Sequence, residues 1–193
     1  MLRRLYDWTL AKAATPGAVK WLAVISFADS SFFPIPPDVM QIPMSIARPE
    51  KSFNYAAVST VASVAGALLG YAIGSLLFQT IGLPLLQLYG YEDRFIAFAA
   101  NIKEHGFWWM LAFAFLPIPY KVATIAAGSV GLGLPTLIAA SILGRGGRFF
   151  LVALVLRRYG ETAQVLIDKY FHQIAVVATV MFFGGFVFVR YAF

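Results

Sequence analysis

From Tyr55 to Phe78 the chain reads YAAVSTVASVAGALLGYAIGSLLF, without one charged side chain. Roughly 20 apolar residues carry a helix across the hydrocarbon core of a bilayer. Within that core every backbone N–H and C=O must find its partner inside the protein. The segment therefore predicts a spanning helix and an all-α fold around it. The remainder suits the same solvent: 60% of the 193 residues are hydrophobic and 12% are charged, where soluble domains carry about 25% charged residues. One modest domain, a polytopic membrane protein, is the expectation.

Proline sets the next constraint. Residues 21–46 are apolar but interrupted by Asp29, Pro34, Pro36, Pro37, Asp38 and Pro43, and residues 107–131 are broken by Pro117 and Pro119 with Lys121 close behind. Proline removes a backbone donor and collides with the preceding turn, so neither stretch reads as a straight span. Both predict re-entrant helical hairpins, at about 24–46 and 107–131, that turn at Pro34–Pro37 and at Pro117 and Pro119. A second full span is expected at about 134–156. An offset of 83 residues lays Pro34 on Pro117, Pro36 on Pro119 and Asp38 on Lys121. Two hairpins separated by one span enter from opposed faces, which makes an inverted repeat of the kind found in transporters.

The flanks complete the plan. Residues 1–20 read as an amphipathic interfacial helix, residues 80–105 as a polar connection with some helix, and residues 161–193 as an amphipathic segment followed by a C-terminal transmembrane helix. No apolar core with a small-residue cleavage site opens the chain, so the N-terminus is read as mature protein. Residues 1–20 and 48–51 together hold six basic residues and two acids, while 80–105 holds two and three. The positive-inside rule then puts the N-terminus and Arg157-Arg158 in the cytoplasm. Trp21, Trp108 and Trp109 are expected at the membrane interface.

Several functions are set aside. The chain has no cysteine, and His105 and His172 stand far apart, so no metal site is expected. The net charge of +6 is spread around apolar segments, which suits anionic lipid surfaces better than nucleic acid. No nucleophile–base pair, phosphate-cradling loop or cofactor motif is visible, and an enzyme is not expected.

The chemistry rests on charges where charge is costly. Asp29 and Asp38 lie in an apolar stretch, and an intramembrane acid marks a functional site by default. The plainer reading is a carboxylate that caps the broken backbone. Protons are candidate partners of these acids, since carboxyl groups in a low-dielectric setting suit a proton-coupled step. Lys121, Arg145 and Arg148 form the basic set. Arg145 and Arg148 are three apart, so a regular helix puts them on roughly one face. Guanidinium groups match phosphate oxygens bidentately and lysine acts as a point charge, so the set could receive a lipid phosphate headgroup or simply neutralise the two aspartates. Asp38 and Lys121, at matching positions of the repeat, are expected to meet. Gly66, Gly70 and Gly74 line one helix face, where close helix packing is the favoured reading. Ser30, Ser31, Thr124 and Ser129 could line a polar path, although single helical hydroxyls usually bond back to the chain.

Four of these motifs carry a family resemblance. DSSFFPIPPD (Asp29–Asp38) resembles the acidic-proline signature of the DedA family, also called the VTT or SNARE-associated domain; both acids are aspartate here, where glutamate is commoner. GALLGYAIG, from Gly66 to Gly74, is similar to the family's glycine-rich motif, and FLPIPYKVATIAAG, ending at Gly128, looks like its second re-entrant motif. GRGGRFF resembles the YqaA-like branch. The likeness covers about residues 20–160. Most members carry arginine three residues before the proline matching Pro117, and often at the position of Tyr120; this chain has Ala114 there. Lys121, Arg145 and Arg148 are the basic residues left to take that role. The resemblance implies a bacterial inner-membrane protein that moves lipids, as a flippase or scramblase, with undecaprenyl phosphate and phospholipids as family substrates. A homo-oligomer stays open. Two rivals stand beside it: a proton- or ion-coupled transporter of a small soluble substrate, and a non-transporting membrane scaffold.

Overall fold

The computed structural model describes residues 17–32, 35–116 and 119–160. The expectations for residues 1–16 and 161–193, and for Pro34 and Pro117, lie outside them. Every regular element among the described residues is helical.

Helix α1 (Ala18–Ser31) stops short of the Pro34-Ile35-Pro36-Pro37 run, because a residue before proline is pushed out of helical geometry. Helix α2 (Asp38–Ala47) restarts directly after Pro37 with an acid in its first turn, where the helix dipole favours negative charge. Pro49 then opens a short 3₁₀ turn that leads into α3 (Ser52–Leu77). A π-helical turn, Phe78–Gly82, extends α3, so Pro49–Gly82 runs as 34 helical residues. At 1.5 Å per residue this is about 50 Å, well beyond a hydrocarbon core of about 30 Å.

Short helix α4 (Leu83–Leu88) ends at Gly90, whose φ is +67°. Gly90 N–H donates to Gln87 O and Tyr91 N–H to Leu86 O, a Schellman cap that needs a residue free of Cβ strain. Gly131, also at φ +67°, closes the later helix Tyr120–Ser129 in the same way, with Gly131 N–H to Gly128 O and Leu132 N–H to Ala127 O.

Helix α5 (Glu92–Phe115) is longer than the polar connection expected for 80–105. It bends at His105 (φ −117°, ψ 28°), next to Gly106, so the expected boundary near 107 is a kink inside one element. Glu92 and Asp93 stabilise its start through the dipole. Leu116 is extended, with ψ 155°, as a residue before proline must be. Helix α6 (Tyr120–Ser129) follows Pro119. Helix α7 (Leu134–Ser141) passes through a π-turn, Ile142–Gly146, into a helix that continues to Gly160, giving a second membrane-length element, Leu134–Gly160.

Packing centres on α3. Its Gly66, Gly70 and Gly74 sit where a Cβ would strike the Phe27 carbonyl of α1, the Thr124 hydroxyl of α6 and the Ile125 carbonyl of α6. Gly128 of α6 returns the contact against the Tyr71 carbonyl. The glycine face thus lets α1 and α6 lie against α3 at backbone distance. Gly144 meets Ala114 of α5 in the same manner, and the wall there has no room for a longer side chain at 114. Outward, Val61, Leu76, Trp21 and Trp108 are exposed, as a lipid-facing surface requires.

Candidate functional site

The π-turn Ile142–Gly146 sets the centre of the site. It carries Arg145 into the bundle, where its side chain is only 3% exposed. Arg145 Nη2 donates to Asp29 Oδ2 of α1 at 2.5 Å, and its Nε donates to Ser63 Oγ of α3 at 2.9 Å. Ser63 Oγ in turn lies 2.5 Å from Ser30 Oγ. The guanidinium carbon sits 4.8 Å from the Phe149 ring centroid and 5.8 Å from that of Tyr120, both close enough for cation–π attraction. Tyr120 is buried; its hydroxyl lies 2.6 Å from Ser141 Oγ, and Ser141 donates its one proton to the Leu137 carbonyl. The tyrosine is therefore the donor of that pair. Four elements thus hold one guanidinium.

A second pair lies beside the first. Arg148 Nη2 donates to Asp38 Oδ2 at 2.5 Å, with side-chain exposures of 23% and 17%. Lys121 stands near enough to Asp29 to interact electrostatically, and so does Asp38. All five sequence-predicted charges therefore gather in one region, three positive and two negative, with one positive charge in excess.

The partnership differs from the expectation. Asp38 pairs with Arg148, and Lys121 makes no ion pair among the described residues. Arg145 lies in the π-turn and Arg148 just beyond it, and the two reach carboxylates on different helices. Pro37 and Pro119 directly precede α2 and α6, and Gly66, Gly70 and Gly74 face α1 and α6 at close range. Of the candidate hydroxyls, Ser31 and Ser129 bond back to Phe27 and Ala126 carbonyls. Ser30 joins the arginine network, and Thr124 bridges Lys121 O and Ser30 O at 2.9 and 3.2 Å. Sequence reasoning missed Ser63, Tyr120, Ser141 and Gln41. The first has a signal: Ser52, Ser59 and Ser63 share the α3 face that continues as Gly66, Gly70 and Gly74.

The described residues form only helices, two of them long and apolar enough to cross a membrane, which fits an all-helical membrane protein. The VTT domain model matches residues 31–158. The chain belongs to the VTT domain (DedA) family. An uncharacterized protein of Haemophilus influenzae is 35% identical over 157 residues, covering 81% of each chain. An uncharacterized HI0703 homolog of Histophilus somni is 38% identical over 148 residues, covering 77% of each. No solved structure matches the chain significantly.

Proposed function

We propose that this protein moves an anionic, phosphate-bearing lipid between the leaflets of the bacterial inner membrane, without enzymatic turnover. The observation that carries the reading is the buried Arg145–Asp29 pair with Arg148–Asp38 beside it. A guanidinium held by a carboxylate can exchange that partner for a phosphate, since both present oxygens to the same planar fork. Arg145 spends two of its five N–H donors on Asp29 and Ser63. Lys121 supplies the positive charge that the two aspartates leave unbalanced. The pairs close the path when empty and open when a headgroup competes. Protonation of either aspartate would weaken its pair and favour release, which couples transport to protons.

The same reading takes the two proline-broken regions as opposed re-entrant hairpins of an inverted repeat, with the basic end of residues 48–51 in the cytoplasm. GRGGRFF supports placement in the YqaA-like branch, and undecaprenyl phosphate or a phospholipid is the substrate. The test is binding. A medium-chain alkyl phosphate should raise the melting temperature of the purified protein in detergent with rising concentration, and the matching alkyl alcohol should not. Equal shifts from both would leave the arginines without a phosphate role.

A further inference from the structure

Helix α2 turns one face inward that carries Asp38, Gln41 and Ser45, spaced for a single helical stripe. The stripe of α3 that carries Ser52, Ser59 and Ser63 is buried as well. The helix that continues from the π-turn joins the two. Gln41 Nε2 donates to the Phe149 carbonyl at 2.9 Å, Phe149 packs on Ala56, and Gly146 approaches Thr60. Gly160 comes near Pro49. This helix therefore runs antiparallel to α3, from the arginine centre down to the polar loop at 48–51.

On these two stripes four side-chain oxygens are buried without a partner among the described residues: Gln41 Oε1, Ser45 Oγ, Ser52 Oγ and Ser59 Oγ. All four residues are 0% exposed. Buried polar atoms are nearly always satisfied, and each exception asks for an occupant. Gln41 cannot turn its amide over, because its NH₂ is held by a carbonyl. Its oxygen therefore waits for a donor. The occupant that gives donors to an amide oxygen and exchanges hydrogen bonds with hydroxyls, without bringing a net charge, is water. The seam is framed by charge at both ends: Arg48, Glu50 and Lys51 at the loop, and Asp38 with Arg148, then Asp29 with Arg145 and Lys121, at the centre.

We infer that the α2–α3 seam holds a file of internal waters that carries protons between the 48–51 end and Asp38. A proton arriving along the file adds to the Asp38 carboxylate and removes the charge that holds Arg148. Loss of the proton to the file restores the pair. The file stands on the unpartnered oxygens alone; only its use in coupling rests on the transport reading above.

Millisecond X-ray hydroxyl-radical labelling in H₂¹⁸O, with the full chain in nanodiscs, tests the two parts separately. Both methionines are 0% exposed in apolar clusters, but Met44 is the chain neighbour of Ser45, whereas Met110 lies in a cluster with Phe98 and Phe113, away from both stripes. Radicals born from internal water should oxidise Met44 and spare Met110. The double variant Ser45→Ala/Ser59→Ala should lower Met44 labelling to the Met110 level. Equal labelling of Met44 and Met110 in the unsubstituted protein would overturn the file, with the serines turned onto helix carbonyls as Ser26 is on Leu22. Met44 labelling that the double variant leaves unchanged would overturn it too. Labelling as expected in a protein that moves no lipid would refute the transport reading and leave the file standing. In liposomes, a dry double variant that keeps the full response to an imposed pH gradient would overturn the proton role.

Discussion

Arg145 bonds Asp29 and Ser63 from within a π-turn, at 3% exposure, and that burial fixes what its loss should cost. Removing one partner of a buried pair leaves an uncompensated charge and typically costs about 3–5 kcal/mol. Asp29→Ala and Arg145→Ala should each destabilise the protein by about that much, and the double variant by clearly less than the sum. A thermal-unfolding cycle in detergent reads the coupling. Strict additivity would mean the contact is not energetic. The coupling of Asp38 with Arg148 should be smaller, because both groups are partly exposed. Lys121→Met should leave the melting temperature nearly unchanged and weaken alkyl phosphate binding, since Lys121 serves no internal pair among the described residues. The identity of the charged residues was legible in sequence because charge in an apolar span is expensive and rarely idle. Their partners were not. Asp38 pairs with Arg148 rather than Lys121, a choice made by how the helices assemble, and no residue in ILGRG announces the π-turn that carries Arg145.

Among the elements, α3 is the post against which α1 and α6 are laid, and glycine makes that possible. Gly66→Ala and Gly74→Ala should each destabilise by about 1–3 kcal/mol through overpacking, because the added carbon meets the Phe27 and Ile125 backbones. Gly17→Ala, which meets nothing within 4 Å, is the control and should be neutral. Melting temperatures of the three variants decide it; equal values would remove the close packing from the account. This face was readable from its spacing of four, and so were the breaks at the prolines, since both follow from local sterics. Helix α5 was not readable at its full length. Glu92, Asp93, Arg94, Lys103 and Glu104 give its first half the composition of a connection, and only the kink at His105 marks where the apolar half begins.

At the scale of the whole molecule, two helices of membrane length and two proline-broken regions enclose the five charges. The all-helical membrane class was legible from hydropathy, whereas the arrangement of helices about α3 depends on tertiary contacts that no local pattern encodes. The chain is naturally free of cysteine, so single cysteines report topology cleanly. Pro36→Cys and Pro119→Cys should react with membrane-impermeant thiol reagents from opposite sides of the membrane. Labelling of both from one side would contradict opposed hairpins.

The central claim is that buried arginines carry a lipid phosphate, and headgroup-resolved flipping in liposomes tests it most directly. Purified protein should accelerate movement of a phosphate-bearing lipid reporter over its uncharged counterpart. Arg145→Gln with Arg148→Gln should abolish that difference, with the protein's helical content retained. The account predicts selective flipping lost with the arginines; equal flipping of both reporters, or selectivity that survives the double substitution, would contradict it.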